Sequence, residues 1–344
     1  MSKSQLVAPF PYFGGKRAAA ALVWRALGNA DNYVGPFFGC GAVLLGRPGT
    51  PRVETVNDAD GLLANVWRAM RAAPDAVAEH ADWPVNEADL HARHLWLLGQ
   101  RERITERLMA DPDFYDAKAA GWWVWGACAW IGSGWCSGRG PWQAVDGVLT
   151  NVKADGDNGR GINRKLPHLG NNGRGIALVE WFEQIAARLR DVRVVCGDWS
   201  RVLGPSVSYA HPTVKSGGWA GIFLDPPYGD VGTSDLYAVD STTVAAEVRA
   251  WCLAHAHEPR TRIVLAGYAE QGHEVFEAEG WRAVRWGESA TGYHVGGYGN
   301  RNKDGSQLRR ETLWMSPQCL DVSEPKQRSL FDADPSDTVE RMAP

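Results

Sequence analysis

The six cysteines of this 344-residue chain form no Cys-x-x-Cys pair and have no clustered histidines beside them. This spacing argues against a zinc site and against a disulfide framework, so we expect reduced thiols and no bound metal. The chain also lacks a run of about eighteen apolar residues, the length that a membrane-spanning helix requires. Its start, Met-Ser-Lys-Ser-Gln, has no apolar core of a signal peptide. We therefore expect a cytoplasmic protein without a membrane partner, either a monomer or a weak dimer.

An excess of positive charge is also missing, because the formal net charge is -4 at pH 7. The tail from residue 317 onward holds six acidic and three basic residues, which accounts for most of this charge. Any DNA-binding surface must therefore be local. The glycine- and asparagine-rich span 132–176 supplies one in part, with six lysines and arginines against three aspartates. We expect DNA contacts from Arg139, Arg160, Arg164, Lys165, His168 and Arg174, and the alternative is a loop whose charges are merely solvated.

Apolar periodicity predicts an α/β fold that is interrupted in the middle. A mainly helical stretch, about 75–131, and the glycine-rich span separate two regions in which strands alternate with helices. We expect one α/β domain from residues 1–74 and 177–317, a recognition domain inserted at 75–176, and a disordered acidic tail at 318–344. The predicted strands are 31–34, 52–57, 192–196, 221–224, 262–266, 281–286 and 311–315, and the predicted helices of the α/β regions include 61–72, 177–189 and 242–255.

The tetrapeptide Asp225-Pro226-Pro227-Tyr228 follows an apolar run and carries the strongest chemical signal. An exocyclic base amine is a poor nucleophile, because its lone pair is delocalised into the ring. The Asp225 carboxylate and the Pro226 carbonyl suit the acceptance of one amine N–H each, which directs the lone pair towards a methyl donor, while Tyr228 stacks on the base. The two prolines fix the backbone beforehand. The alternative is a proline-terminated strand with a tyrosine covering the sheet edge.

A second group of residues is typical of a nucleoside-binding turn. Phe37, Gly39 and Gly41 follow the first predicted strand, and the glycines permit a tight turn in which a ligand lies against the backbone. About twenty residues later, Asp58 ends the next strand, where a carboxylate accepts both ribose hydroxyls of a bound nucleoside. These residues predict a nucleoside-containing cofactor.

Two further aspartates have two interpretations each. Asp60 is assigned mainly to capping the helix that starts at Gly61, while the neighbouring Asp58 is assigned mainly to the ligand. Asp198 ends the run 194–198 (VVCGD) just after the predicted strand 192–196, and it either reaches the adenine of a cofactor or caps the following turn. The sequence leaves both roles of Asp198 open.

Four ordered motifs resemble those of the Dam-like DNA adenine methyltransferases: 9–17 (PFPYFGGKR), 36–41 (PFFGCG), 56–60 (VNDAD) and 225–228 (DPPY). The segment 299–315 is also similar to the family's basic loop and last strand. The resemblance implies a Rossmann-like methyltransferase sheet, mostly parallel with an antiparallel last strand. It also implies S-adenosylmethionine as cofactor, S-adenosylhomocysteine as product, and a recognition domain between the glycine motif and DPPY.

By position, the resemblance assigns a cofactor pocket and a site for a flipped adenine. Tyr12 stands where the family usually has tryptophan, an exchange that keeps a stacking face. Lys16 has an alternative interpretation as an exposed lysine that begins a helix. Aspartate rather than serine at position 225 favours adenine over cytosine. The implied cofactor residues are Tyr12, Lys16, Phe37, Gly39, Gly41, Asp58 and Asp198, and the implied adenine residues are Asp225, Pro226 and Tyr228.

The chain departs from the family in a tryptophan-rich segment at 122–136, so the resemblance does not supply a target sequence. We expect these tryptophans to pack the core of the inserted domain and its junction with the sheet: Trp122, Trp123, Trp125 and Trp130. The alternative is that Trp135 or Trp142 wedges into the duplex as the adenine leaves it.

The acidic tail contains Gln327, Leu330 and Phe331 in an arrangement that resembles the Gln-x-x-Leu-Phe peptides that dock on the bacterial sliding clamp. A disordered tether that presents two apolar anchors suits a preformed groove. A sliding clamp is therefore a candidate second partner beside double-stranded DNA.

Together these features predict a site-specific DNA methyltransferase that transfers a methyl group to the exocyclic amine of a flipped adenine in duplex DNA. Such an enzyme marks a genome or protects it beside a restriction nuclease. The alternatives are an RNA adenine methyltransferase and a DNA-binding protein that has kept the fold but lost turnover.

Overall fold

The computed structural model of the protein describes nine ranges of the chain: residues 6–12, 14–130, 135–136, 142–145, 148–151, 178–227, 243–268, 272–285 and 311–322. Seven strands of these ranges form one sheet, and a two-stranded antiparallel hairpin lies apart from it. The sheet strands are β1 (Asn32–Gly35), β2 (Val53–Asp58), β5 (Val192–Cys196), β6 (Ala220–Leu224), β7 (Thr261–Tyr268), β8 (Arg282–Arg285) and β9 (Glu311–Met315), and the hairpin strands are β3 (Trp142–Val145) and β4 (Val148–Asn151).

The sheet is mostly parallel and has the order β5-β2-β1-β6-β7-β9-β8. The first five of these strands pair in parallel, and β9 pairs antiparallel with both β7 and β8. The predicted α/β class is therefore confirmed, as is the antiparallel last strand. The chain proceeds outward from β1 in one direction through β2 and β5, and in the other through β6 and β7. This reversal creates a crevice at the carboxyl ends of β1 and β6, where open α/β sheets bind ligands.

Helices cover both faces of the sheet. Several helices begin at residues whose side chains accept a backbone N–H of the first turn: Asp60 accepts from Leu62, and Asn86 accepts from Asp89. Among the described residues, no helix combines the length and the apolar character needed to cross a membrane. The helices are α1 (Ala20–Leu27), α2 (Ala42–Leu45), α3 (Gly61–Ala72), α4 (Pro74–Ala81), α5 (Glu87–Ala110), α6 (Ala117–Ala129), α7 (Leu178–Leu189), α8 (Pro212–Lys215), α9 (Val244–His255) and α10 (Val275–Ala278).

Two apolar clusters lie on the two faces of the sheet. Along β7, Val264 belongs to one cluster, whereas its neighbours Ile263 and Leu265 belong to the other, because successive strand residues point to opposite faces. The larger cluster also contains Leu97 of α5 and Val124 of α6. The described helices of the middle segment therefore share the core of the sheet, and a separate recognition domain stays a prediction.

The tryptophan-rich segment packs as expected. Trp123 makes an edge-on contact with Phe10 in the larger cluster, at 5.0 Å between ring centroids. Trp125 and Trp130 form a small cluster of their own with Leu90 and Ala129. The indole N–H of Trp135 donates to the Trp123 carbonyl at 3.1 Å.

The half-buried ring of Trp135 also packs against Trp130, so a wedge role would require it to leave these contacts and stays a prediction. The side chain of Trp142 lies outside the described part of the structure.

A buried charge cluster joins β2 to the helices that flank it. Glu54 of β2 is 2% exposed, and its carboxylate accepts from Arg47 at 2.9 Å and from Arg188 of α7 at 2.6 and 2.9 Å. One carboxylate thus compensates two guanidinium groups. Its removal would leave two largely buried guanidinium groups without a carboxylate partner.

We expect Glu54→Ala to lower the free energy of unfolding by about 3–5 kcal/mol, the cost of breaking a buried ion pair. Urea unfolding followed by circular dichroism measures this change. Arg52→Ala is the matched control, since Arg52 is 61% exposed in its ion pair with Asp31 and such pairs contribute about 1 kcal/mol or less. Equal losses in the two variants would contradict this account.

Candidate functional site

A cavity lies at the carboxyl ends of β1 and β6, where the strand order reverses. We call it the switch-point cavity. Its empty space amounts to about 1070 Å³, a figure that includes open solvent at its mouth. Its lining includes all seven residues of the predicted cofactor pocket and the first residue of the predicted adenine site: Tyr12, Lys16, Phe37, Gly39, Gly41, Asp58, Asp198 and Asp225.

The turn after β1 forms one wall through its backbone. Gly39 and Gly41 have φ angles of 52° and 65°, in the left-handed region that favours glycine. A Cβ on Gly39 would lie 3.0 Å from the ring of Tyr12. The carbonyl of Gly39 accepts from the Trp67 indole at 2.9 Å, and its N–H donates to Asp58 at 2.8 Å. These bonds fix the turn in place at the cavity wall, where the ring of Tyr12 packs against Gly39.

Asp58 stands at the end of β2 with both carboxylate oxygens bonded to the backbone. Oδ2 accepts from Gly39, and Oδ1 accepts from the N–H of Asp60 at 2.9 Å. Desolvation, reinforced by the negative charge of Asp60, outweighs these bonds and raises the pKa of Asp58 to about 7. The group therefore titrates near neutral pH.

The two neighbouring aspartates act as caps. Asp60 accepts from the Leu62 N–H at 3.0 Å, as expected, and also pairs with Arg101 of α5 at 2.9 Å. Asp198 accepts from the Ser200 N–H at 2.9 Å at the start of a short 3-10 helix, Trp199–Val202. The capping interpretation of Asp198 is confirmed. Since this exposed residue also lines the cavity, a ligand contact stays a prediction.

Asp225 follows the fully buried strand β6 and forms an ion pair at the cavity wall. Lys16 Nζ lies 3.0 Å from Asp225 Oδ1 and 3.8 Å from Glu311 Oε1, and it donates to the Gly14 carbonyl at 2.7 Å. Only 3% of the Lys16 side chain is exposed, so the interpretation of Lys16 as an exposed lysine is wrong. Burial raises the pKa of Glu311, while the charge of Lys16 acts in the opposite direction.

Two cavity-side residues were not predicted from the sequence. Glu311 begins β9, and because β9 is antiparallel its first residue lies at the same edge as the last residues of β6 and β7. The antiparallel strand expected from the resemblance was a signal that could have found it. Trp199 stacks on Phe37 with 6.2 Å between ring centroids and 22° between planes, and nothing in its sequence context indicated this contact.

Other predicted residues lie outside the described part of the chain. These are Tyr228 of the adenine site, the DNA-contact set Arg139, Arg160, Arg164, Lys165, His168 and Arg174, and the clamp-binding set Gln327, Leu330 and Phe331. Their roles stay predictions.

S-adenosylmethionine stays a prediction for this cavity, and three observations bear on whether the residues suit it. The left-handed glycine turn leaves room for a nucleoside beside the backbone, Asp58 offers a carboxylate, and the rings of Phe37 and Tyr12 offer apolar faces. Among the described residues, no group of three histidine, cysteine, aspartate or glutamate side chains is arranged to hold a metal ion.

Comparison of the chain with protein-family models and with curated proteins found no match. The functional assignment therefore rests on the residues, their geometry and the resemblance of their motifs.

The raised pKa of Asp58 has a testable consequence. A carbon-13 titration of the Asp58 carboxyl should give a pKa of about 7 in the wild-type protein. Asp60→Asn should lower this pKa, because it removes the neighbouring negative charge. By itself, this group makes the free energy of unfolding fall as pH rises from about 4 to about 7, since the native state holds the proton longer than the unfolded chain. A pKa near 4 in both proteins would contradict the burial argument.

Proposed function

We propose that this protein is an S-adenosylmethionine-dependent DNA adenine methyltransferase that acts on a base flipped out of duplex DNA. One observation carries the proposal: the residues predicted to hold the cofactor and the aspartate predicted to hold the target amine line the same cavity. The cavity lies at the topological switch point, and the sheet has the antiparallel last strand that the resemblance implies.

The cofactor would be held by the turn after β1 and by the end of β2. Asp58 accepts the ribose hydroxyls, Gly39 and Gly41 admit the ligand against the main chain, and Phe37 and Tyr12 cover its apolar surfaces. When bound, S-adenosylmethionine supplies an activated methyl group on its sulfonium. Residues of the chain would hold the target amine and orient it towards this methyl group.

The target amine would be held by the end of β6. Asp225 and the Pro226 carbonyl accept its two N–H groups and direct the nitrogen lone pair towards the donor. Lys16 stabilises the ionised form of Asp225 and holds its Oδ1, and Glu311 supplies a second carboxylate near the same lysine. The acceptor geometry is thus set before the base arrives, which lowers the reorganisation that methyl transfer requires.

Methylation of mixed-sequence DNA in vitro, followed by mapping of modified adenines, tests the proposal directly. A matched RNA of the same sequence separates the DNA enzyme from an RNA methyltransferase. Absence of transfer to either polymer, together with intact cofactor binding, would support the non-catalytic DNA-binding alternative instead.

We expect Asp225→Asn to lower the rate of methyl transfer by about 100-fold or more, because the neutral amide binds the amine N–H weakly and loses the ion pair with Lys16. Single-turnover transfer from radiolabelled S-adenosylmethionine measures the rate. Affinity for S-adenosylhomocysteine, measured by calorimetry, is the control and should change less than about threefold. Full activity of the variant would exclude the amine-acceptor role.

The affinity for S-adenosylhomocysteine should rise as pH increases through about 7, the pKa of Asp58. The ribose hydroxyls donate hydrogen bonds, and the ionised carboxylate accepts them more strongly than the protonated acid does. Asp58→Asn should bind more weakly at pH 8 and should lose this pH dependence. A wild-type affinity that stays constant from pH 6 to pH 8 would argue against the assigned contact.

A further inference from the structure

A second concave site lies on the helical segment, away from the switch-point cavity. We call it the tryptophan pocket. Its lining shares no residue with that of the cavity, and it lies near the start of α5. Arg93 of this pocket stands eight residues before Arg101, which pairs with Asp60 at the cavity, a separation of about 12 Å along the helix axis. The lining consists of Trp83, Asp89, Ala92, Arg93, Trp96 and Trp122.

Arg93 is a buried charge that the Asp89 carboxylate attracts electrostatically without bonding to it. It is 7% exposed, yet among the described residues it forms no hydrogen bond or ion pair, and its Nη1 is fully buried. Its guanidinium instead lies over indole rings, at 4.2 Å from the centroid of Trp125, 4.9 Å from Trp122 and 5.4 Å from Trp83. Burial lowers the pKa of Arg93, which reflects the cost of keeping this charge away from water.

The indole rings offset only part of this cost. Cation–aromatic contacts attract the charge, but they leave the buried Nη1 of the guanidinium without an acceptor. A planar guanidinium matches the paired oxygens of a phosphate or a carboxylate better than any other side chain does. An anionic ligand is therefore the group that would complete the surroundings of Arg93.

The neighbouring surface adds aromatic faces and a second cation. Trp83 is 48% exposed, and its indole N–H donates to Asp89 Oδ2 at 3.1 Å, which fixes the ring at its edge. Lys118 Nζ lies 4.4 Å from the ring centroid of Trp122 and 4.9 Å from that of Trp96. The surface thus places one exposed and two half-buried indole rings beside two cations, and aromatic rings beside cations stack nucleic-acid bases and neutralise their phosphates.

One acidic side chain opposes an anion here. The carboxylate of Asp89 lines the pocket, but its Oδ2 accepts from both Trp83 and Asn86, the latter at 2.7 Å. These bonds stabilise its negative charge locally. The Arg93 guanidinium, whose Nη1 has no acceptor among the described residues, is the group of this pocket that favours an anion.

We propose that the tryptophan pocket binds a nucleotide unit, with the phosphate on Arg93 and the base against the exposed ring of Trp83. The phosphate satisfies the buried cation and the base covers the exposed ring, so both unusual features have one explanation. The nucleotide comes either from a strand of nucleic acid or from a free mononucleotide, which share this chemistry. The site goes beyond methyl transfer, since it requires neither cofactor nor target adenine.

The test is a titration of the full-length protein, without cofactor, against a fluorescently labelled single-stranded oligonucleotide of about ten nucleotides. Fluorescence anisotropy should show about tenfold weaker binding for Arg93→Met and about threefold to tenfold weaker binding for Trp83→Ala, because each loses a phosphate or a stacking contact. Thymidine monophosphate, inorganic phosphate and unlabelled strand are then added as competitors, to distinguish a free mononucleotide from a strand of nucleic acid as the ligand. Competition by the mononucleotide assigns a free nucleotide, and competition by unlabelled strand alone assigns nucleic acid.

Arg103→Gln is the matched control, because Arg103 is a half-exposed arginine of the same helix and lies outside the pocket. It should weaken binding less than about twofold, as expected for one screened surface charge. Circular dichroism and the thermal midpoint show whether each variant is folded, and the exposed position of Trp83 keeps the test valid if Arg93→Met does not fold.

Unchanged affinity in Trp83→Ala and in folded Arg93→Met would overturn the proposal. Equal losses in Arg103→Gln would also overturn it, as would competition by an acidic peptide but by neither nucleotide ligand. The outcome is independent of methyl transfer, because Asp225→Asn and Asp58→Asn leave this pocket unchanged.

Discussion

The buried ion pair between Lys16 and Asp225 is the contact on which the candidate active site depends. It joins the segment before α1 to the end of β6, and Glu311 brings the start of β9 to the same lysine. Three parts of the chain that are far apart in sequence therefore meet around one ammonium group. A lysine that is 3% exposed needs such partners, because an unpaired charge in this place would be costly or would lose its proton.

Three buried cationic centres of this protein show how differently a charge can be accommodated. Lys16 has two carboxylates nearby, and Arg47 and Arg188 share the single carboxylate of Glu54. Among the described residues, Arg93 lies over aromatic faces and is attracted by Asp89 without a hydrogen bond to it. Loss of one partner from a buried ion pair is strongly destabilising, and a buried charged group without an acceptor also costs stability.

Much of the fold followed from apolar periodicity and from punctuating residues. The boundaries of the helix 61–72 and of the strands 192–196 and 311–315 were all predicted correctly. Each of these segments has a clear apolar pattern. A capping residue, a turn or a change of composition marks where the pattern begins and ends. The ends of other elements moved by up to two residues, since fraying ends carry little energy. The prediction of a separate recognition domain did not anticipate that α5 and α6 would complete the core beneath α3.

The sequence by itself determined the chemistry that the protein can offer. Glycines that permit left-handed backbone, an aspartate at the end of a strand and a proline-stiffened aspartate are local properties, so spacing alone revealed them. Only the tertiary structure decided which polar groups meet. Glu311 lies beside Lys16, and Asp58 accepts from two backbone N–H groups. The buried Nη1 of Arg93 has no acceptor among the described residues. Pairing of strands and packing of helices bring such groups together across long sequence separations. Burial then sets the strength of their electrostatic interactions, and neither effect is encoded in any short stretch of residues.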